Sequence, residues 1–432
     1  MQRPLRRRAE WPDGRAEHES NSAEERTTMR LLIVADWFFP SVPGGLARVA
    51  WDVARLMARR GHHVEFVAAE SAAALSSPVE EVHEGVTVHR FPRSRYPVWN
   101  PRRGALQIAL FRDAVARVLG RGFDIVHYHS IFTGMGAIDA VRGLSRRPAL
   151  AYTIHSPIVA EQRLAWSQQG WIGVVNNALG PPVMRRMERR LLDAADVRHT
   201  LSRFTGDELA REHPRRGHRF HVIPHWVAGD WRRDQTKAEA RNALGWPVNR
   251  QTVFTVRQLR PRYGIPDAVE AVAPLARRGE CIFRIAGAGP LESDLRELIR
   301  RKQVEGAVEL VGRISDDDLR LAYQAADLFV LPTRELECFG LIMLEAMGIG
   351  LPVLGTRVGA IPELLEPLLP EFLVEPGDVA GLRAKFEDFV AGRLRAPSAE
   401  SLAEAVHQTF GEQVASERYE RFYNDAMRHR AT

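Results

Sequence analysis

Short apolar runs alternate along this chain with longer segments whose apolar residues recur every three or four positions. The runs predict buried β-strands, and the periodic segments predict amphipathic helices. Strands and helices that alternate in this way are typical of a parallel sheet covered by helices. The first half of the chain has predicted strands at 31–35, 64–69, 124–128, 149–154, 197–201 and 220–223, and predicted helices at 46–60, 105–119, 134–144, 183–194 and 203–212.

The same alternation begins again after Pro224–Gln235, a polar and irregular stretch that we interpret as a linker. A chain of 432 residues is too long for one ordinary core, so two domains are expected. The architecture repeats although the sequence does not, which predicts an α/β fold of two Rossmann-like, doubly wound domains. The second half has predicted strands at 252–256, 281–286, 308–311, 328–331 and 352–355, and predicted helices at 266–278, 290–302, 316–325 and 340–348.

These patterns predict one domain over residues 29–225 and another over 236–408. Residues 409–432 contain a final predicted helix with apolar and aromatic side chains on one face, namely Tyr419, Phe422, Tyr423 and Met427. Residues 1–28 mix basic and acidic side chains with almost no apolar periodicity, which predicts a disordered extension. Because a predicted strand follows Met29 directly, translation of the natural protein could start at either Met1 or Met29.

The composition narrows the class of protein. The formal net charge is +6, but the charges of both signs are dispersed and no basic stripe carries interleaved aromatic residues, so we do not expect a nucleic-acid partner. Two cysteines are too few for a disulfide framework. No apolar run approaches the roughly 20 residues that span a bilayer, and no apolar signal segment opens the chain. We therefore expect a cytoplasmic protein, with any membrane contact being peripheral at the inner face.

The segment from Glu337 to Glu345 carries the clearest candidate chemistry. Gly340 permits close approach to the backbone, and the good helix formers that follow it predict a helix whose first amides favour an anion. The eight-residue offset between the two carboxylates corresponds to about 12 Å along a helix, which is near the reach of a nucleotide diphosphate sugar. Glu337 would then bind the sugar and Glu345 the ribose. The alternative is that both are ordinary exposed charges.

This segment and the residues after it resemble the glycosyltransferases of family 4, whose signature is Glu-x-Phe-Gly, four residues, Glu-Ala-Met, Gly and Pro-Val. Further similar stretches lie at 43–48, 286–291, 311–315 and 358–363, so the resemblance extends in weaker form over nearly all of the chain after Met29. It implies the GT-B architecture, in which two Rossmann-like domains face each other across a cleft and the last helix crosses back to the first domain.

The resemblance also implies an activity. A hexose-type sugar would pass from a UDP- or GDP-sugar to an acceptor hydroxyl with retention of configuration. The acceptor would be a glycan, a lipid-linked glycan or a small natural product. In such a front-face reaction the departing diphosphate accepts the proton of the acceptor, and the protein acts by positioning and electrostatic stabilisation. Neither a metal nor another cofactor is required.

Several donor-binding residues are implied by matching positions. The glycine loop after the first strand would lie against donor and acceptor, residue 314 would pack against the nucleobase, and the start of the helix near 340 would hold the donor. The donor-binding residues implied in this way are Gly44, Gly45, Ile314, Phe339, Gly340, Leu341 and Glu345.

Histidines at predicted strand ends are a more ambiguous signal. His155 occupies the place of a family histidine that hydrogen-bonds the donor sugar, and we assign it a catalytic role together with Glu337. His127 and His129 are more typical of structural partners of the backbone. As a pair they could ligate a metal, but no third ligand with suitable spacing accompanies them.

The diphosphate site departs from the family pattern. The usual motif is Gly-Arg-Leu, three residues, then Lys-Gly, whereas this chain has Gln258 at the arginine position and Tyr263 at the lysine position. Arg257 and Arg262 are each displaced by one residue, and we assign both to the diphosphate because guanidinium groups can bind two phosphate oxygens. Arg260 is a competing candidate.

Other readings of the motifs stay open. The glycines at 287–289 could suggest an NAD-dependent oxidoreductase, but Glu292 stands where the third glycine would be. Asp316–Asp318 contains the Asp-x-Asp of metal-dependent sugar transferases, yet Ser315 makes a helix N-terminus the better account. A sugar phosphorylase of the same fold and a nucleic-acid-binding protein are further alternatives.

The segment 184–192 predicts a basic amphipathic helix. Such a helix could rest on an anionic membrane if the acceptor is lipid-linked. A solvated helix with Arg–Glu pairs is the alternative.

Overall fold

The computed structural model describes residues 28–39, 41–42, 44–71, 75–93, 103–167, 170–214, 219–229 and 231–430, so the predicted extension lies outside the described residues except for Thr28. The described chain forms two compact α/β units. We call residues 28–225 with 415–430 the N-terminal unit and residues 226–414 the C-terminal unit. Among the described residues, every helix is too short or too polar to span a bilayer.

The N-terminal unit is built on a sheet with the strand order β3-β4-β2-β1-β5-β6-β7-β8. Neighbouring strands are parallel except for the edge pair β3 and β4. Its elements are β1 Arg30–Trp37, α1 Gly45–Arg59, β2 His63–Glu70, β3 Val79–His83, β4 Val86–Pro92, α2 Arg103–Leu119, β5 Ile125–Tyr128, α3 Ile131–Val141, β6 Ala149–Ile154, α4 Ile158–Ser167, α5 Gly170–Ala194, β7 Val197–Thr200, α6 Arg203–Glu212 and β8 His221–Val222.

The C-terminal unit contains a fully parallel sheet with the order β11-β10-β9-β12-β13-β14. Its elements are α7 Lys237–Leu244, β9 Gln251–Val256, a short 3₁₀ helix Pro261–Tyr263, α8 Ile265–Arg277, β10 Cys281–Ala286, α9 Glu292–Arg301, β11 Val308–Gly312, α10 Asp316–Ala325, β12 Leu328–Leu331, α11 Leu341–Gly348, β13 Val353–Thr356, α12 Ile361–Leu365, β14 Leu373–Val374, α13 Val379–Val390 and α14 Ala399–Phe410. The final helix, α15 Glu412–Arg430, begins in this unit, and its residues from 415 onward belong to the N-terminal unit.

The central strands are apolar because helices cover both faces of each sheet. Residues 31–35 of β1 and 328–331 of β12 are fully buried. Side chains on both faces of these strands therefore lie in a core. This explains why the strands could be recognised as continuous apolar runs. Three strands begin and end at the predicted residues, namely those at 149–154, 281–286 and 328–331.

Two regions differ from the sequence-based prediction. The β3–β4 hairpin was not predicted, although it turns at Glu84 and Gly85, which both have positive φ, as a tight hairpin connection requires. Residues 156–182 carry no clear periodicity, yet α4 and the first half of α5 are helical. In α5, apolar residues lie on the exposed as well as the buried face, so the usual amphipathic signal is absent.

The glycine stretch at 286–291 serves the fold of the C-terminal unit. Leu259 donates its amide to Ala288 O at 3.1 Å and accepts from the amide of Leu291 at 3.1 Å. A Cβ on Gly287 would overlap the carbonyl of Arg257, and a Cβ on Gly289 would lie 2.5 Å from Leu259 O. These glycines accommodate the chain that follows β9, which gives them a role other than dinucleotide binding.

We predict that Gly287→Ala destabilises the protein much more than Gly306→Ala. Both glycines have positive φ, but a Cβ at Gly306 meets nothing within 4 Å, so that change should cost only about 1 kcal/mol of backbone strain. At Gly287 the overlap with Arg257 adds to this strain. Urea unfolding of both variants measures the difference, and equal losses of stability would contradict the proposed packing.

Candidate functional site

The candidate site of the C-terminal unit lies where the strand order reverses. β9 and β12 are neighbours, with the following strands placed on opposite sides of them. The loops that leave their carboxyl ends therefore diverge and open a crevice, which is the usual ligand position in doubly wound sheets. Arg257 directly follows β9, and the segment that contains Glu337 follows β12. Residues remote in the sequence are thus brought to the same edge of the sheet.

Arg257 and Glu337 form an ion pair at this edge. Arg257 Nη2 lies 2.7 Å from Glu337 Oε2, and the side chains are only 10% and 11% exposed. The carboxyl carbon of Glu337 also lies 3.7 Å from the position that a Cβ of Gly340 would occupy. A guanidinium group, a carboxylate and the start of α11 therefore converge on one spot.

The backbone at Glu337 is tightly constrained. Its carbonyl accepts a hydrogen bond from the amide of Ala360 at 2.8 Å, and a Cβ on Gly359 would overlap that carbonyl. Leu336 has a φ of 47°, a left-handed conformation that is strained for a leucine. Strain of this kind persists where the surroundings over-determine the backbone. The stretch at 358–363 thus has a clear part in positioning the carboxylate.

Tyr263, at the position where the family has a lysine, is stacked with two arginines. The guanidinium carbon of Arg257 lies 3.9 Å from the ring centroid, and that of Arg262 lies 4.7 Å from it. Arg262 also donates to the hydroxyl of Tyr263 at 2.7 Å. Cation–π contacts of this kind hold a guanidinium group in place. Arg260, the competing candidate, is exposed and donates to Gln258 Oε1 at 3.2 Å.

Gly340 precedes α11 with φ 85° and ψ 62°, and no side-chain cap hydrogen bond forms at this residue. The left-handed conformation favours glycine because a Cβ would be strained there. Phe339 is buried, whereas Leu341 is half-buried. The first turn of α11 therefore has the features of an anion-binding helix start.

The two carboxylates are not ordinary surface charges, because as whole residues Glu337 is 9% and Glu345 only 6% exposed. Glu345 lies on the buried side of α11 and accepts a hydrogen bond from Tyr323 at 3.2 Å. Ile314 is half-buried in the loop between β11 and α10. Asp316–Asp318 form the exposed first turn of α10, where Ser315 accepts from the amide of Asp318 at 3.0 Å. The prediction of a helix N-terminus at this point is confirmed.

In the N-terminal unit, His155 follows β6 and is hydrogen-bonded to His129, with 3.1 Å between His129 Nδ1 and His155 Nε2. One imidazole must donate and the other must accept, so at least one of the two rings is neutral, and burial lowers the pKa of both. Burial, together with the nearby His199 and His225, lowers the pKa of His155 to about 3. His155 is therefore a neutral hydrogen-bonding group near pH 7, and not a cation.

His127 is part of a buried chain of hydrogen bonds between neutral groups. Because the carbonyl of Ile223 can only accept, His199 donates to it from Nε2 at 2.8 Å and accepts at Nδ1 from the hydroxyl of Thr153 at 2.7 Å. Thr153 in turn accepts from His127 Nε2 at 2.7 Å, and His127 Nδ1 accepts from Tyr423 of α15 at 2.9 Å. Both nitrogens of His127 are thus engaged, which argues against a metal at the 127/129 pair.

The glycine loop of the N-terminal unit follows β1, so it lies at the same edge of this unit's sheet as His155, which follows β6. Gly44 and Gly45 are exposed at the start of α1, and a Cβ on Gly44 would meet nothing within 4 Å. One acid of this unit, Asp36, was not among the predicted site residues. Burial raises the pKa of Asp36 at the end of β1, although a hydrogen bond from Ser130 and the charge of Arg93 oppose this rise. An acid at the end of a continuous apolar strand is the signal that could have identified Asp36.

Glu188 supports the loop after His155. Its Oε1 accepts from the amide of Ile158 at 3.0 Å, and its Oε2 lies 2.9 Å from His213 Nε2. Together with Glu212, these side chains bring possible metal ligands within 4.8 Å of one another. Both oxygens of Glu188 already have partners within the chain, so the arrangement is explained as a hydrogen-bonded support of the His155 loop.

Comparison with known proteins agrees with this geometry. Residues 43–230 match the family described as Glycosyltransferase Family 4, and residues 236–409 match Glycosyl transferases group 1. An N-acetyl-alpha-D-glucosaminyl L-malate synthase of Bacillus anthracis is 25% identical over 90% of this chain and 96% of the relative. A D-inositol 3-phosphate glycosyltransferase of Mycolicibacterium paratuberculosis is 28% identical over 84% of this chain and 81% of the relative.

Solved structures establish the fold. A sucrose-phosphate synthase from Thermosynechococcus elongatus superposes with a TM-score of 0.75 at 20% identity, covering 91% of this chain and 98% of that one. HepE of Anabaena, in complex with UDP and glucose, gives a TM-score of 0.65 at 18% identity, covering 91% and 98%. The fold is therefore GT-B. The matches to the two glycosyltransferase families and to the similar proteins above show that the molecule is a sugar-transferring enzyme. The chain belongs to the family 4 glycosyltransferases.

We predict that His199→Gln makes the protein less sensitive to acid. Burial lowers the pKa of His199 from 6.5 to about 3 in the folded protein, so the unfolded chain binds the proton first and stability falls as the pH drops through this window. One such histidine changes the free energy of unfolding by up to about 1.4 kcal/mol per pH unit. Glutamine can keep both hydrogen bonds without titrating.

The measurement is the free energy of unfolding of wild type and variant between pH 7 and pH 4. Wild-type stability should decline more steeply with falling pH. Identical slopes would show that His199 takes up no proton on unfolding.

Proposed function

We propose that this enzyme transfers a hexose-type sugar from a nucleotide diphosphate sugar, with UDP or GDP as the nucleotide, to an acceptor hydroxyl with retention of configuration. The observation that carries the proposal is the convergence of Arg257, Glu337 and the start of α11 at the point where the strand order reverses in the C-terminal unit. This arrangement suits an anionic leaving group next to a sugar whose hydroxyls need acceptors. HepE, with the same fold, was crystallised with UDP-glucose.

Each residue has a distinct task in this proposal. Arg257 and the amides after Gly340 stabilise the diphosphate as negative charge develops. Arg262, the second arginine that contacts the ring of Tyr263, also binds the diphosphate. Glu337 holds Arg257 in place before the donor binds and accepts hydrogen bonds from the sugar. Glu345 accepts from the ribose, while Ile314 packs against the base. No metal or other cofactor takes part in the proposed reaction.

The residues of the N-terminal unit have separate tasks. His155 offers a neutral hydrogen bond to the donor sugar, since its low pKa keeps it uncharged. Gly44 and Gly45 leave the backbone accessible to the substrates. The acceptor is a glycan, a lipid-linked glycan or a small natural product. Its hydroxyl proton passes to the departing diphosphate on the same face of the sugar, so proximity and electrostatics provide the catalysis.

We predict that Glu337→Gln lowers kcat by about 100-fold or more, the loss typical of removing one group that stabilises a developing charge. The variant keeps the size of the side chain but removes the charge that pairs with Arg257. Glu335→Gln is the matched control, because Glu335 is exposed two residues away. Both variants should fold, as checked by thermal unfolding. Wild-type turnover by Glu337→Gln would exclude the catalytic assignment.

We predict that a UDP-sugar or a GDP-sugar raises the melting temperature, because a ligand that binds only the folded state stabilises it, by about 2.7 kcal/mol at one hundred times Kd. The panel is UDP-glucose, UDP-N-acetylglucosamine and GDP-mannose, with Arg257→Gln as the variant that should lose the shift. If none of these nucleotide sugars raised the melting temperature, the result would contradict the proposed donor site.

The anomeric configuration of the product, determined by NMR, tests retention. An inverted product would contradict the front-face mechanism. Release of a sugar phosphate on adding inorganic phosphate would instead support the phosphorylase alternative.

A further inference from the structure

Helix α5 exposes apolar side chains where a surface helix is normally polar. The exposed fractions are 77% for Trp171, 71% for Val174 and 45% for Val175. Ala178 and Pro182 are exposed as well. These five residues are spaced by one, three or four positions, so they form one stripe along three turns of the helix. We call them the apolar stripe of α5.

The opposite face of α5 accounts for its packing. Gly180 lies against the indole of Trp166 in α4, and a Cβ there would overlap that ring. Leu191, Leu192 and Glu188 are fully buried further along the helix. Because α5 already packs through this face, the apolar stripe is not needed to attach the helix to the rest of the N-terminal unit. Exposed apolar area that a fold does not use often marks an interaction surface.

The charge next to the apolar stripe indicates the kind of partner. Continuing the same helical spacing leads to Arg186 and Arg189, which are both exposed. Between Trp171 and Arg190, the helix has one acid, Glu188, and this residue is buried and engaged with Ile158 and His213. The exposed face over this length is therefore apolar for three turns and cationic after them.

We propose that this face of α5 lies on a bilayer surface that contains anionic lipids. The apolar stripe would enter the boundary between headgroups and acyl chains, and Arg186 and Arg189 would bind the phosphates. Trp171 is the N-terminal residue of the stripe, and tryptophan favours this boundary because its ring is apolar while its N–H group can hydrogen-bond to polar groups. This surface would place the enzyme where a lipid-linked acceptor is found, a role that rests on the proposed function.

Co-sedimentation with vesicles tests this surface. Wild-type protein should bind vesicles of equal parts phosphatidylcholine and phosphatidylglycerol, and should bind pure phosphatidylcholine much more weakly. Trp171→Glu with Val174→Glu should reduce binding by about tenfold or more, because a charge replaces apolar area on the lipid side. Arg186→Gln with Arg189→Gln should reduce binding by roughly tenfold to the anionic vesicles only.

Val82→Glu is the matched control, since Val82 is an exposed valine, 70% accessible, on β3 of the same unit. It should bind vesicles like the wild type, and thermal unfolding checks that every variant folds. Equal binding by the stripe variants and the wild type overturns the proposal. Self-association through the apolar stripe, detected by sedimentation velocity in a protein that does not bind vesicles, also overturns the proposal.

Glu337→Gln should bind vesicles normally while failing in transfer. This variant separates failure of the membrane proposal from failure of the proposed function.

Discussion

The reversal of strand order between β9 and β12 is the constraint on which the site in the C-terminal unit depends. Parallel strands end at the same edge of a sheet, and a reversal of order sends their loops apart. Arg257 and Glu337 meet at this point although 80 positions separate them in the sequence. Glycines at 287 and 289 accommodate the chain after β9, and Gly359 accommodates the backbone of Glu337. The glycine motifs thus position a charged pair without contributing a side chain.

The Arg257–Glu337 site and the hydrogen-bonded chain around His127 position their polar groups by different means. In the C-terminal unit, oppositely charged groups are paired, and Tyr263 provides an aromatic surface for two guanidinium groups. In the N-terminal unit, Tyr423, His127, Thr153 and His199 form a chain in which every member is neutral. A neutral chain avoids the cost of burying charge, and each group has a donor and an acceptor to satisfy. This chain also connects α15 with the central strands of its sheet.

Much of the fold could be predicted because strands buried on both faces are continuous apolar runs, as in 281–286 and 328–331. The hairpin β3–β4 was missed since its strands are short, partly exposed and rich in charge. The first half of α5 was missed because its apolar residues face solvent as well as the core. At the site, the motif from Glu337 to Glu345 was recognisable, whereas Asp36 and Glu188 were not, because their surroundings come from distant elements.

The two alternating α/β halves, the helix start after Gly340 and the sugar-transferase motif from Glu337 to Glu345 can be predicted from the amino-acid sequence. These features are local, since strand burial, helix propensity and a glycine conformation act within a few residues. Three features follow from the folded structure: Arg257 is the arginine that pairs with Glu337, Tyr263 contacts two arginines where the family has a lysine, and both nitrogens of His127 are hydrogen-bonded. Each of these depends on distances between segments far apart in the chain, which packing sets and no local pattern encodes.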